Sequence, residues 1–333
     1  VLGSVDVPDN SPVGALAGGG SVSGGSAVYD IPITVPPGRN QMAPSLSLSY
    51  SSKSGSREAG FGWSLTGISS IQRCERDFIR DGIKAKISYS DDDRLCFGGQ
   101  RLVLVAGTYG ANNSEYRTEI ESFAKVKQVG TGSTRYFEVK SKSGQISLYG
   151  KSANSRITYQ GKTHPLGWSI EQVTDVHGNQ IDYVYTNLSA SGEFYLDHIL
   201  YTGYQGAAGD RKVAITWEDD SKPGVGYYAG GRYERNKRIS SITTSVNAAM
   251  VSRYDLAYKN ATISGIALLK TVTQCAAIST NEESCLTPTT FDWYNEDTAP
   301  IASSEEASGL MTVRYTNGGG FPTRSDINAD GYP

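Results

Sequence analysis

One segment near the start of the chain, residues 27–67, constrains the fold more than any other. It contains two runs of strand-forming residues, 28–35 and 45–51, joined by a stiff Pro36-Pro37-Gly38 corner. In the second run, leucine and tyrosine alternate with serine, which is the pattern of a strand with one buried face. The segment therefore predicts two β-strands.

Aromatic residues interleaved with glycine follow these strands, at Gly60-Phe61-Gly62-Trp63. Glycine permits a positive φ angle and a close approach of other chain segments. None of these residues is an obvious acid, base, nucleophile or metal ligand. We therefore predict that Tyr50 and Trp63 are buried structural anchors and not platforms for a ligand.

The composition favours an all-β protein. The 333 residues include 38 glycines and 21 tyrosines, and no stretch shows sustained apolar residues at helical spacing. The 31 basic and 34 acidic residues give a net charge of −3 without a basic stripe. This balance argues against nucleic acid or an anionic membrane as the main partner, and no apolar run is long enough to span a membrane.

Pairs of alternating strands recur in the second half of the chain. In each pair a first strand is followed by a turn and by a second strand that ends in Tyr or Trp. The predicted pairs are residues 168–174 with 181–185, 196–201 with 213–217, 238–244 with 253–258, and 269–273 with 290–293. A single hairpin cannot bury its apolar face, whereas stacked neighbours can. An ordinary β-sandwich would give the same alternation and stays an alternative.

The four cysteines form two pairs that are close in sequence, Cys74 with Cys96 and Cys275 with Cys285. Neither pair has the spacing of a zinc site, and no histidine is near. Four cysteines permit three pairings, of which sequence proximity favours this one. We predict two disulfides in an exported protein, with buried free thiols as the alternative.

The ordered blocks of the first part of the chain resemble the N-terminal domain of the SpvB family, which includes the B components of bacterial Tc (toxin complex) insecticidal toxins. The first blocks are Tyr-x-Ile-Pro-Ile-x-Val-Pro-Pro-Gly, Pro-x-Leu-Ser-Leu-x-Tyr and Gly-x-Gly-Trp-Ser-Leu-x-Gly. They stand at residues 29–38, 44–50 and 60–67, and the match continues through 71–74, 93–96, 99–102 and 115–120.

The hairpin pairs in turn resemble RHS/YD repeats, most closely at Asp175-x-x-Gly-Asn and the following Ile-Asp-Tyr-Val-Tyr. In that family, hairpins coil edge to edge into a hollow shell. The resemblance implies an all-β fold of antiparallel hairpin repeats that form a curved, RHS-shell-like sheet, followed by the start of a β-propeller-like segment.

Composition and resemblance together divide the chain into five segments. We predict a glycine- and serine-rich leader that pairs at a sheet edge (1–26), an SpvB-like β domain (27–160) and RHS-like hairpin repeats (161–295). A polar linker (296–310) and the incomplete start of an FG-GAP/VCBS-like segment (311–333) follow.

The last segment contains the opening of a calcium loop, with Asp326, Asn328 and Asp330 at alternate positions before Gly331. Oxygen ligands at this spacing wrap a hard cation while glycine makes the sharp bend. The pattern resembles the FG-GAP/VCBS loops of propeller blades that follow the SpvB-like domain in Tc toxin B components. The chain stops before the ninth loop position, so we expect a fragment with at most part of one blade. A plain Asp-Gly turn is the alternative.

The sequence contains none of the familiar catalytic patterns. None of His164, His177 and His198 lies in the setting of a catalytic triad, and no phosphate-binding loop is present. The acidic run Asp91-Asp92-Asp93 is predicted to be a solvated turn and not a metal cluster. In SpvB itself an ADP-ribosyltransferase follows as a separate unit, and its motifs are not matched by Ser51-Ser52 or Glu305-Glu306.

These observations predict a non-catalytic structural part of a secreted, toxin-complex-like bacterial protein, building a β-shell that encloses or helps to deliver a toxic payload. The expected partners are other toxin-complex subunits or further domains of the same chain. Two other functions stay open. One is a surface-displayed or filament-forming adhesive β-protein, and the other is a glycan-binding or glycan-cleaving module, for which the aromatic residues would offer stacking faces.

Overall fold

Antiparallel β-strands make up nearly all regular structure in a computed structural model of the protein, which describes residues 14–279 and 282–293 and the backbone of 311–314. The predicted all-β class is confirmed. The helices of these residues are short. They are α1 (Phe78–Asp81) and the 3-10 turns Arg39–Gln41, Gly132–Thr134 and Ala153–Ser155.

The predicted N-terminal strand pair lies in a four-stranded sheet, and a small hairpin projects between its last two strands. In β3 the residues Leu46, Leu48 and Tyr50 are buried and the serines between them are not, as the alternation predicted. The strands are β1 (Gly19–Ser23), β2 (Ser26–Ile33), β3 (Leu46–Ser51), β4 (Ser56–Arg57), β5 (Gly60–Phe61) and β6 (Trp63–Thr66). Strand β1 comes from the predicted leader and pairs at the edge of the sheet.

The next strands form a closed ring. They are β7 (Ser70–Cys74), β8 (Arg94–Phe97), β9 (Gln100–Ala106), β10 (Glu115–Thr118), β11 (Lys125–Val129), β12 (Tyr136–Lys140), β13 (Ile146–Tyr149), β14 (Arg156–Ile157) and β15 (Gly167–Thr174). Neighbours pair antiparallel from β7 to β13. The first residues of β15 pair with β7 and with the short β14, while its later residues pair with β13, which closes the ring.

From β15 the sheet continues as an antiparallel meander. Its strands are β16 (Asn179–Leu188), β17 (Glu193–Tyr204), β18 (Arg211–Tyr228), β19 (Gly231–Val246), β20 (Ala249–Asn260), β21 (Ala267–Ser279), β22 (Glu282–Cys285), β23 (Thr289–Trp293) and β24 (Met311–Arg314). All four predicted strand pairs are present. Each pair is also joined to the next, so the units form one continuous sheet and not separate hairpins.

A ring that runs on into a meander differs from the two facing sheets of an ordinary β-sandwich, so that alternative is wrong. One hydrophobic core extends from Leu16 to Trp293 and includes residues of the N-terminal sheet, the ring and the meander. The ring also takes its last strand from beyond residue 160, so the sheet does not break at the segment boundary predicted there. The division of the chain into five segments stays a prediction.

Candidate functional site

An aromatic junction joins the N-terminal sheet to the end of the meander. Trp63 of β6 is fully buried and packs against Phe291 of β23, with ring centroids 4.9 Å apart. Tyr50 and Tyr29 lie 5.5 Å and 6.1 Å from Trp63, and Tyr50 also contacts Trp293 at 6.0 Å. We call these five residues the aromatic junction. It brings residues from the two ends of the described chain into one cluster.

The glycine at position 62 makes this packing possible. Gly62 has a φ of +76°, and a Cβ atom there would lie 2.4 Å from the Tyr50 ring. Any larger residue would therefore push the tyrosine out of the aromatic junction. Tyr50 itself is buried, and burial raises its pKa to about 12, so the phenol stays neutral. The two predicted anchors thus lie in the core, where neither offers a face to solvent.

Both predicted disulfides are present. Cys74–Cys96 connects β7 to β8 within the ring. Cys275–Cys285 connects directly opposed residues of β21 and β22. Among the described residues, one group has the geometry of metal ligands, and it consists of Glu283 with this second pair of cysteines. Since the disulfide consumes both sulfurs, the group has no thiolate to offer a metal.

The acidic run lies in a turn in which Asp91 and Asp92 are exposed, as the sequence predicted, whereas Asp93 is buried. Each aspartate pairs with a different arginine: Asp91 with Arg135, Asp92 with Arg76 at 3.4 Å, and Asp93 with Arg73 at 3.1 Å. Two of these arginine side chains and the Asp93 side chain are buried. The sequence did not predict these ion pairs, because the arginines lie elsewhere in the chain and no local pattern indicates the contacts. These three ion pairs hold the acidic run against the ring.

The two buried arginines of these ion pairs, Arg73 and Arg135, lie against Trp168 of β15. The guanidinium carbons of Arg73 and Arg135 are 5.6 Å and 5.8 Å from the Trp168 ring centroid, and the indole donates a hydrogen bond to the Arg135 carbonyl oxygen at 2.7 Å. Burial, together with the nearby charge of Arg73, lowers the pKa of Arg135 to about 10. The guanidinium therefore stays charged at neutral pH. Sequence reasoning did not identify this group.

The histidines occupy separate structural settings. His177 lies in the turn between β15 and β16, and His164 precedes Pro165 before β15. His198 lies on β17, where its Nδ1 is 2.7 Å from the carboxylate of the adjacent Asp197. Among the described residues, none of the three takes part in a Ser/His/Asp arrangement. The predicted calcium ligands Asp326, Asn328 and Asp330 and the predicted linker lie outside the described residues.

Several solved structures share this fold. A crystal structure of TcdB2-TccC3 superposes with a TM-score of 0.70 at 19% sequence identity, covering 88% of this chain and 17% of that chain. A Tc holotoxin pore of Photorhabdus luminescens gives a TM-score of 0.69 at 18% identity, again covering 88% of this chain and 17% of that one. The ring and meander thus define a β-domain of the kind found in Tc toxin complexes, and this chain spans only 17% of the length of those matches.

The N-terminal domain of the effector protein SpvB from Salmonella typhimurium strain LT2 is a solved structure of more similar length. It has a TM-score of 0.61 and 19% identity, and the match covers 74% of this chain and 98% of that domain. The family model of the Salmonella virulence plasmid 65kDa B protein, SpvB, matches residues 21–194, which is more than half of the chain. The chain belongs to the SpvB family, and the resemblance seen in its sequence blocks is confirmed.

No curated protein matches the sequence. Among the described residues, none of the helices has the length and apolar character that crossing a membrane requires.

Proposed function

We propose that this chain is a non-catalytic structural part of a secreted, toxin-complex-like protein, in which it forms part of a β-shell that encloses or helps to deliver a toxic payload. The observation that carries the proposal is the continuity of the sheet. A closed ring passes through β15 into a meander whose successive strands pair edge to edge. Such a sheet extends by the addition of further antiparallel strands, which is how a curved wall is built.

The likeness to Tc complexes supports this proposal. The fold matches part of TcdB2-TccC3 and part of a Tc holotoxin pore. By that likeness, the partners of this chain are other toxin-complex subunits or further domains of the same protein. The disulfides in the ring and the meander support export, because such bonds persist in oxidising environments.

The chemistry of the described residues supports a structural role. The most conspicuous carboxylates, Asp91 to Asp93, are engaged by arginines, and the most conspicuous aromatic residues fill the core. A shell of this kind requires paired strand edges and a large buried aromatic area, not a reactive side chain.

Electron microscopy of the full-length protein that contains this chain tests the proposal. We expect a hollow particle whose wall contains the ring and the meander, and co-expression with a C-type subunit should protect that subunit's C-terminal region from protease. Filaments would favour an adhesive or fibre-forming protein. A compact particle without an interior, or a C-type subunit that is cleaved as fast alone as in the mixture, would contradict the proposal.

We also propose that Asp326, Asn328 and Asp330 bind calcium in a propeller loop. The proposal rests on the sequence, which places oxygen ligands at alternate positions before Gly331. Calorimetry on a longer chain that includes one further propeller blade should show calcium binding, and Asp326→Ala should abolish it. The present chain lacks the ninth loop position, so we expect it to bind weakly or not at all. If the longer chain does not bind calcium, only an Asp-Gly turn remains.

A further inference from the structure

A cavity of about 360 Å³ lies where the three parts of the fold meet. Its walls come from the β4–β5 hairpin, from residues in and after β14 of the ring, and from strands β16 to β19 of the meander. A cavity of this volume accommodates a small organic molecule or the end of a long side chain. It is separate from the aromatic junction and from the acidic run.

Three stacked or tilted aromatic pairs line this cavity. Ring centroids within each pair lie close together: Tyr185–Phe194 at 4.9 Å, Tyr195–Trp217 at 4.8 Å and Tyr159–Tyr233 at 4.9 Å. Phe194, Trp217, Tyr159 and Tyr233 each keep accessible surface, whereas rings of the main core are buried. Walls of this composition present the electron-rich faces that attract weakly hydrated cations.

One carboxylate reaches this aromatic wall without a charged partner. Glu58 accepts a hydrogen bond from the Leu65 N–H at 2.8 Å, and its own carbonyl oxygen accepts one from the Ile239 N–H at 2.8 Å. These bonds hold the residue between the N-terminal sheet and β19. No Lys, Arg or His nitrogen of the described residues lies within ion-pair distance of the Glu58 carboxylate. Burial raises its pKa, which outweighs the more distant charges of Arg57 and Arg235.

The other acidic groups nearby are already engaged. Glu234 pairs with Arg232 at 2.6 Å and accepts a hydrogen bond from the Asn236 amide at 2.9 Å. Glu193 accepts hydrogen bonds from the Tyr195 and Ser191 hydroxyls. Glu58 is therefore the carboxylate that is open to a ligand. This arrangement also disfavours glycosidase chemistry, which requires two carboxylates free to act on the same bond.

We propose that this cavity binds a small organic cation with an apolar body, such as an alkylammonium group, with the charge facing Glu58 and the body against the aromatic pairs. The Glu58 carboxylate has a hydrogen bond but no ion-pair partner, and a bound cation would supply one in a site that is partly shielded from water. A neutral sugar would stack on the rings but leave the carboxylate uncompensated. Two arginines, Arg57 and Arg235, also line the cavity. Arg57 is exposed, the guanidinium of Arg235 lies beside Gly224 of β18, and neither forms an ion pair with Glu58.

Calorimetry with choline tests the proposal, with 3,3-dimethylbutan-1-ol as a neutral probe of the same shape. We expect choline to bind about tenfold more tightly than the alcohol, because only the cation gains a cation–π contact and the attraction of the facing carboxylate. Glu58→Gln should abolish this preference, and Phe194→Leu should weaken choline binding. Glu138→Gln, on β12 of the ring and away from the cavity, is the matched control and should bind as the wild type does.

Several results of these measurements would overturn the proposal. They are equal affinities for choline and the alcohol, undiminished choline binding by the folded Glu58→Gln protein, and no choline binding at about 10 mM, well above an ordinary small-ligand dissociation constant. Preferential binding of a neutral sugar such as glucose would also overturn it. These outcomes are independent of whether the full-length protein forms a shell, so the two proposals fail separately.

Discussion

At the scale of single residues, Trp63 shows how far a local motif predicts structure. The glycine–aromatic pattern predicted a buried anchor, and the side chain is fully buried. The pattern could not predict the contact with Phe291, which lies at the other end of the described chain. Glu58 illustrates the same limit, because nothing in its neighbourhood in sequence indicates the aromatic wall that the meander provides.

Replacement of Trp63 by alanine tests the aromatic junction. We expect Trp63→Ala to lower the free energy of unfolding by about 3–5 kcal/mol, since it removes a large buried ring and leaves a cavity. Urea unfolding followed by circular dichroism measures the loss. Trp217→Ala, at a partly exposed tryptophan, should cost clearly less. A Trp63→Ala protein as stable as the wild type would show that the aromatic junction does not hold the N-terminal sheet.

The Glu58 carboxyl gives a pH dependence whose sign follows from burial. Its pKa is raised in the folded protein, whereas the unfolded chain releases this proton near about pH 4.3. Between the two pKa values the folded state binds more protons, so stability falls as the pH rises through this window and stays reduced above it. Glu58→Gln removes this penalty and keeps an acceptor for the Leu65 N–H.

We therefore expect the Glu58→Gln protein to match the wild type near about pH 4 and to be more stable near about pH 7.5, as measured by urea unfolding at both values. Glu138→Gln serves as the control and should shift stability little at either pH. Lower stability of Glu58→Gln at the higher pH would mean that the ionised carboxylate stabilises the fold.

At the scale of elements, the sequence predicted the strand pairs but did not predict the interactions between elements that are distant in sequence. Alternation and turn residues predicted all four hairpins of the meander, because both partners of each hairpin are close in sequence. The helix α1 was not predicted. It depends on Asp77, which accepts a hydrogen bond from the Arg80 N–H, and on the pair between Asp81 and Arg94 of β8. The Asp77 cap is local, whereas the Asp81–Arg94 pair exists only once α1 lies against β8.

The disulfides each join adjacent strands, so their effect belongs to this scale. Each closes a short loop, and the loop-entropy account gives about 2–3 kcal/mol of stability per bond. Peptide mapping without reduction should recover both linked peptides. The Cys74→Ala, Cys96→Ala double variant should unfold at a lower urea concentration than the wild type. Recovery of free thiols at all four positions would contradict the prediction and weaken the argument for export.

At the scale of the whole molecule, the ring was beyond sequence reasoning. The sequence predicted the strands and the pairs between strands that are close in sequence. Closure of the ring depends on β15, whose first residues pair with β7 and whose later residues pair with β13. Strand β7 lies far earlier in the chain, and antiparallel pairing at such a distance has no sequence signature. The predicted segments therefore describe composition and family likeness better than they describe the sheet.

A single core shared by the N-terminal sheet, the ring and the meander predicts cooperative unfolding. We expect the chain to lose tryptophan fluorescence and far-ultraviolet circular dichroism in one coincident transition. A chain shortened to residue 160 lacks β15, leaves the edges of β7 and β13 unpaired, and should aggregate or remain unfolded. Two separate transitions in the intact chain, or a well-folded shortened chain, would show that the segments are independent domains.

The aromatic junction has a consequence for the order of events during synthesis. Trp63 and Tyr50 leave the ribosome early, yet their partners Phe291 and Trp293 are made near the end of the described chain. The ring, in contrast, can close as soon as β15 has emerged, and each meander strand then pairs with the strand made just before it. Within the described chain, the sheet that is synthesised first is thus completed last. Until then the side of Trp63 and Tyr50 that packs on Phe291 and Trp293 stays uncovered, and exposed apolar surface of this kind favours aggregation of a partly folded chain.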